Sequence, residues 1–280
     1  MTTPKARLRA DGLSLAYNDR QVVHALDLAV PPQRITVVVG PNACGKSTLL
    51  RGLARMLGPT GGRVLLDGKD IHRSPTKQVA KVMGLLPQSP TAPEGISVAD
   101  LASRGRYPHQ GWCRRWTADD DAAVTDAMRS TRTLDLAGRS VDELSGGQRQ
   151  RVWIAMALAQ QTEVLLLDEP TTYLDVTHQI DVLDLLFDLR RSRCTTVVLV
   201  LHDLNLACRY ADHLVVMSQG RIADQGTPGD VVDTDLVRDV FGLEAVVVPD
   251  PVSGTPMVIP IGRHHQSRLG AEPAVTREAV

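Results

Sequence analysis

The sequence predicts an α/β fold, a mainly parallel sheet flanked by helices, with a helical segment inserted into it. Two observations predict the sheet. Continuous apolar or β-branched runs at Ile35–Val39, Val164–Leu167 and Thr195–Leu201 read as strands buried on both faces. Helix-like patterns separate them, and strand and helix in alternation imply parallel strands joined by right-handed crossovers. A third observation predicts the insertion: residues 97–160 show little β-branched alternation and several helix-like segments.

The elements follow in order. Leu13–Tyr17 and Val22–Val30 read as strands around an Asn18-Asp19 turn. Ile35–Val39 leads into an apolar helix carrying Leu49, Leu50 and Leu53. Inside the insertion, Arg104–Trp116 reads as a basic, aromatic loop, and Met128–Thr133 lacks the glycine expected between two helices. After Val164–Leu167, the spacing of Val176, Ile180, Leu183 and Phe187 predicts one apolar helix face. Thr195–Leu201 and Leu214–Met217 supply further strands. Val and Ile between Pro and Gly over Glu244–Ile261 predict a hairpin, and Arg263–Val280 reads as a loose polar tail.

Bulk properties narrow the class. A chain of 280 residues holds one large domain or two small ones, at about 100–200 residues each. It can bury a core without disulfides or metal. Hydrophobic and charged fractions of 43% and 22% exclude disordered and repeat-type sequences. A net charge of −1 gives no reason to expect nucleic acid as a partner. No apolar stretch approaches the roughly 18 residues of a membrane span, and the opening MTTPKARLRADG lacks a signal-peptide core. Cys44, Cys113, Cys194 and Cys208 are scattered, which suggests neither a disulfide framework nor a zinc site. The expectation is a soluble protein of a reducing compartment.

Three motifs carry chemistry. The run from Gly40 to Ser47, GPNACGKS, fits a phosphate-binding loop. Small residues let successive backbone N–H groups turn inward, and the following helix adds its positive end. Lys46 can reach the β- and γ-phosphates, and the Ser47 hydroxyl can ligate Mg²⁺. Second, the strand Val164–Leu167 runs into Asp168 and Glu169. Beside a phosphate site, Asp168 can hold Mg²⁺ and Glu169 can polarise or deprotonate an attacking water. Third, Leu144, Ser145, Gly146, Gly147 and Gln148 spell LSGGQ, followed by a helical pattern.

With LSGGQ the sequence resembles the ATP-binding subunits of ABC transporters over roughly residues 8–235. That resemblance implies a P-loop NTPase core with an antiparallel β subdomain and an inserted helical signature subdomain. Its bounds would be 7–243 for the nucleotide-binding domain, about 97–160 for the helical part, 244–262 for a C-terminal β extension and 263–280 for the tail. It assigns nucleotide binding to Gly40, Pro41, Asn42, Ala43, Cys44, Gly45, Lys46, Ser47 and Thr48. The family's adenine-stacking aromatic falls on Tyr17, which alone reads equally as a strand-surface aromatic. Gln88 in GLLPQ matches the glutamine loop, and the resemblance makes Ser47, Gln88 and Asp168 the Mg²⁺ ligands. Asp175 in TTYLD matches the D-loop, and doubles as a helix N-cap. His202 after VVLVL matches the switch histidine and joins Glu169 and Gln88 as a catalytic residue.

In this family the signature of one subunit closes over the γ-phosphate held by another. The resemblance therefore implies a two-fold dimer with ATP at its interface. Arg104–Gly111 and the segments around the signature and Asp175 resemble the subunits that import ferric siderophores, whose relatives import haem and vitamin B12. The alternatives are a soluble ATPase of iron–sulfur cluster assembly, or an importer ATPase for haem or vitamin B12. The importer reading implies multi-span permease subunits, indirectly an extracytoplasmic binding protein, and a peripheral position on the cytoplasmic face of the plasma membrane. Exposed Tyr107, Trp112 and Trp116 would be covered by a permease helix. Ala43 stands where many relatives have Gly, and fits poorly only if its φ is positive. Cys44, at a helix N-terminus beside Lys46, is expected to have a lowered pKa and to be the most reactive cysteine; otherwise it is merely a small residue tolerated there.

Overall fold

The computed structural model describes residues 6–111, 116–172 and 174–262. Leu8–Tyr17 (β1) and Arg20–Val30 (β2) pair antiparallel, and Asn18 turns the chain with a φ of 51°. Asn tolerates that left-handed conformation because its short amide bonds locally. Ile35–Val39 (β3) then feeds Lys46–Leu53 (α1). Gly61–Leu66 (β4) and Lys69–Asp70 (β5) complete an antiparallel sheet ordered β2-β1-β4-β5. Thr76–Val82 (α2) leads to Met83–Leu86 (β6).

The insertion contains Val98–Ser103 (α3), Ala118–Ser130 (α4) and Gly146–Ala159 (α5), with short 3₁₀ turns between them. Each helix starts on a side-chain cap. Ser97, Thr117 and Ser145 accept from the N–H three residues on, which satisfies amides the helix leaves free. Between α4 and the next turn no glycine is used. Arg132 takes a φ of 53° instead, and the Thr133 N–H donates back to the Met128 carbonyl at 2.8 Å.

Val164–Asp168 (β7), Val176–Arg193 (α6), Thr196–Val200 (β8), Leu204–Tyr210 (α7), His213–Ser218 (β9) and Arg221–Gly226 (β10) build the rest of the core. The main sheet runs β10-β9-β3-β8-β7-β6, parallel except for β10 at one edge. Its central strands β3, β7 and β8 are buried along their whole length because both faces are covered, whereas the edge strand β10 is polar and mostly exposed. Ile35, Val37 and Val39 pack with the insertion and α6, while Val38 packs toward α1 and the antiparallel sheet. Pro228–Val231 (α8) and Thr234–Phe241 (α9) follow, and Ala245–Pro249 (β11) with Pro256–Pro260 (β12) form a separate hairpin. Among the described residues no helix is long and apolar enough to cross a membrane.

Two expectations are corrected. The buried face of α6 is Val182, Leu183, Leu186 and Leu189, not the stripe from Val176 to Phe187. Val176 is exposed at the first turn, and the Phe187 ring lies under the guanidinium groups of Arg190 and Arg191. The loop at Arg104–Trp116 is only partly a surface feature. Arg106 is buried and ion-paired at 2.9 Å with buried Asp120, and it donates to the Ala159 carbonyl at the end of α5 at 2.8 Å. Removing one partner would strand the other charge and cost about 3–5 kcal/mol. Tyr107 is 59% exposed, Trp116 is also exposed, and Trp112 and Cys113 lie outside the described residues.

Candidate functional site

The carboxyl ends of β3, β8, β7 and β6 lie side by side in the sheet, which is where open α/β sheets form their crevices. The segment from β3 to α1 occupies the first of these ends. Gly40 has a φ of 152°, and a Cβ there would stand 2.2 Å from the Met217 carbonyl, so only glycine fits. Gly45, with a φ of 107°, caps α1. Ala43 does adopt a positive φ, 61°, a conformation that costs a side-chain-bearing residue about 1–2 kcal/mol. The Gly220 N–H donates to the Cys44 carbonyl at 2.9 Å and braces the loop from behind.

Lys46 is buried and spans this loop, its Nζ donating to the carbonyls of Gly40 and Pro41 at 2.9 Å each. Ser47 Oγ donates to Asp168 Oδ1 at 2.9 Å. Burial pushes the Asp168 carboxyl above its ordinary value, against the pull of the Ser47 hydroxyl. Next in the chain, Glu169 is also buried, with a φ of 52°. Its carboxylate is held from three sides: by Gln88 Nε2 at 2.6 Å, Thr172 Oγ1 at 3.1 Å and His202 Nε2 at 2.5 Å. A cleft of about 300 Å³ opens over these groups, lined by Asn42, Ala43, Gly45, Lys46, Ser47, Thr48, Glu169 and His202 together with Arg20 and Val22.

The remaining predicted residues lie around this cleft. Tyr17 ends β1 as an exposed residue, accepts from Arg51 Nη1 at 3.2 Å and stands across the hairpin from Arg20. Asp175 caps α6, accepting from the His178 N–H at 2.9 Å and meeting His178 Nδ1 at 2.8 Å. The signature residues do not line the cleft of their own chain. Ser145 and Gln148 form a reciprocal capping box at the start of α5, and Ser145 and Gly146 are exposed. This leaves a helix N-terminus facing outward, with open space where a Gly146 side chain would be. Gln150 ties the same helix to the Pro170 carbonyl at 3.0 Å.

The structure overturns the expectation for Cys44. Its side chain is packed against Gly40, and burial pushes the thiol pKa up in spite of Lys46. It also adds residues that the sequence reading missed. Thr172, three residues after Glu169, bonds its carboxylate; Arg20 follows Tyr17 by three positions, a basic residue in a tight hairpin that pattern alone left unremarked.

Comparison with known proteins gives consistent results. A family model described as ABC transporter matches residues 23–172. The chain is 54% identical over 91% of its length to a Bacillus subtilis protein described as a probable siderophore transport system ATP-binding protein, covering 93% of that relative. It is 51% identical to the ferric enterobactin transport ATP-binding protein of Escherichia coli K12, over 94% of this chain and 97% of the relative. Among solved structures, a metal-chelate type ABC transporter in an inward-facing conformation superposes with a TM-score of 0.79 at 28% identity, covering 93% of this chain and 98% of the other.

Proposed function

The chain belongs to the ABC transporter family, and from that premise we propose that it is the ATP-hydrolysing subunit energising an importer of ferric siderophores. The observation that carries the hydrolytic reading is the meeting of Lys46, Ser47, Asp168, Glu169, Gln88 and His202 at neighbouring strand ends. The siderophore assignment rests on relatives at 51–54% identity named for siderophore or ferric enterobactin transport. Cobalamin import relatives reach 40%, and this chain spans 63% of their length.

On this reading the phosphates of ATP lie along the loop from Gly40 to Thr48. Lys46 exchanges its two carbonyl partners for the β- and γ-phosphates, and Tyr17 offers its exposed ring to the adenine. Ser47 and Asp168 present hard oxygen donors 2.9 Å apart, a set that suits Mg²⁺. Bound there, the ion would neutralise charge on the β- and γ-phosphates. Glu169 orients a water and takes its proton as the water oxygen bonds to the γ-phosphorus. The bond to the β-γ bridging oxygen breaks, leaving ADP and inorganic phosphate. His202 and Gln88 hold the Glu169 carboxylate in place for that step.

The outward-facing start of α5 supports completion of the site by a second copy, with Ser145, Gly146 and Gly147 directed at the partner's γ-phosphate. Exposed Tyr107 and Trp116 fit coverage by a multi-span permease, which would hold the chain at the cytoplasmic face of the membrane and link it indirectly to an extracytoplasmic binding protein. Phosphate release by the purified chain with Mg-ATP, and identification of the membrane protein that co-purifies with it, test the two halves of the proposal. Absence of turnover would remove the first, and absence of a multi-span partner the second.

A further inference from the structure

The C-terminal hairpin is fastened to α7 at two points. Asn205 Nδ2 donates to the Val258 carbonyl at 3.1 Å, and the Val258 N–H donates to Asn205 Oδ1 at 2.7 Å. One helical turn later, Arg209 Nη2 donates to Asp250 Oδ2 at 2.6 Å. Asp250 is 4% exposed, and its other oxygen accepts the Val252 N–H at 2.8 Å, fixing the turn between β11 and β12. Residues four apart share a helix face, so both fastenings lie on one side of α7. The hairpin pairs with no strand of the other two sheets and packs on α7 and α9.

α7 bears on the cleft through His202, which lines it. His202 lies between the end of β8 and Asp203, the N-cap of α7. On the strand side the chain is fixed, because the Leu201 N–H donates to the Val38 carbonyl inside the sheet. On the other side it is fixed only as well as α7 is. A seven-residue helix is not stable alone and takes its position from packing. Ala207 and Cys208 supply the inner contact, Tyr210 reaches Asp184 at 2.7 Å, and the hairpin holds the face carrying Asn205 and Arg209.

We propose that the hairpin over residues 245–260 positions the His202 ring against Glu169, with Asn205 and the Arg209–Asp250 pair as positioning residues for hydrolysis. The inference rests on the reading of Glu169 and His202 as residues of ATP hydrolysis. Small displacements of a reacting constellation cost large factors in rate while leaving distant binding contacts alone. Loosening the hairpin therefore acts on turnover and not on nucleotide affinity, which rests on the loop from Gly40 to Thr48 at the end of β3.

Full-length Asn205→Ala and Asp250→Ala, with Arg209→Lys as the conservative variant, test this. Each Ala variant is expected to lower kcat about tenfold while the Kd for ATP stays within about twofold. The ring ¹⁵N signals of His202, identified by their loss in His202→Ala, should shift in both. Arg209→Lys keeps a cation on Asp250 and should retain most of the turnover and an unshifted His202 signal. Unchanged kcat in the Ala variants, or lowered kcat with His202 signals in place, would overturn the proposal and leave the hairpin a stabilising brace. Should His202→Ala hydrolyse ATP as fast as the wild type, the underlying reading of His202 fails instead, so the two failures are distinct.

Discussion

His202 Nε2 stands 2.5 Å from Glu169 Oε1 although the two residues are carried by different strands. The sheet order explains the meeting. β8 and β7 are parallel neighbours, so their carboxyl ends emerge together, and β6 beside them delivers Gln88 to the other Glu169 oxygen. Glu169 pays for this placement with a positive φ, tolerated because three side chains over-determine it.

If Glu169 accepts the proton of the attacking water, Glu169→Gln keeps the shape of the side chain and one accepting oxygen but removes the base. Turnover should fall by about 10²–10⁴, the range for a general base, with ATP affinity retained. Steady-state phosphate release and a nucleotide titration on the same preparation check both halves; near-normal hydrolysis rejects the assignment.

Completion of each site by a second copy predicts complementation. Lys46→Ala, which loses the charge on the phosphates, and Ser145→Arg, which blocks the start of α5, should each be inactive alone. Mixed, they form hybrids in which one site has both elements intact, and part of the ATPase activity returns. A mixture as inactive as its components argues for a site built within one chain.

Much of this site was legible in the sequence because its signals are local. The run Ile35–Val39 coincides with β3 to the residue, since a strand buried on both faces cannot hide its β-branched residues. The loop from Gly40 to Ser47 and the acidic strand end are placed by the same local signals. The misread features depend on what lies opposite. α6 carries overlapping apolar stripes, and only packing against the sheet selects Val182, Leu183, Leu186 and Leu189 over Val176 and Phe187. Arg106 sits in a run that looks solvated, but Asp120, fourteen residues on, supplies the buried partner that draws it inward. The same holds for Cys44, whose sequence neighbours argue for a reactive thiol and whose spatial neighbours bury it.

Cysteine labelling follows from that burial. Cys194 is exposed at the left-handed end of α6, whereas Cys44 and Cys208 are buried, with the Cys208 thiol pushed up to about 12 by desolvation. Among these three, Cys194 should take up maleimide first, and mass spectrometry of tryptic peptides reads the order. Labelling of Cys44 ahead of Cys194 would restore the reactive-thiol expectation.

Acid stability should carry the signature of Asp250. Arg209 and the N–H groups of Val252 and Ser253 hold its carboxyl down to about 2. A carboxyl depressed in the fold contributes stability that is present above its unfolded pKa of about 3.9 and lost as pH falls toward the folded value. Asp250→Asn should therefore lower Tm at pH 7 and lose less on going from pH 4 to pH 2 than the wild type does. Thermal unfolding across that window checks it, and equal acid losses in the two proteins would contradict it.

The transport role is tested directly in cells. Uptake of a labelled ferric siderophore is measured in cells lacking this chain and in the same cells resupplied with wild type or Glu169→Gln. Loss of uptake in the deletion, recovery with wild type and none with Glu169→Gln is the predicted result. Normal uptake in the deletion, with failure of iron–sulfur cluster assembly instead, would contradict it and make the chain a soluble assembly ATPase.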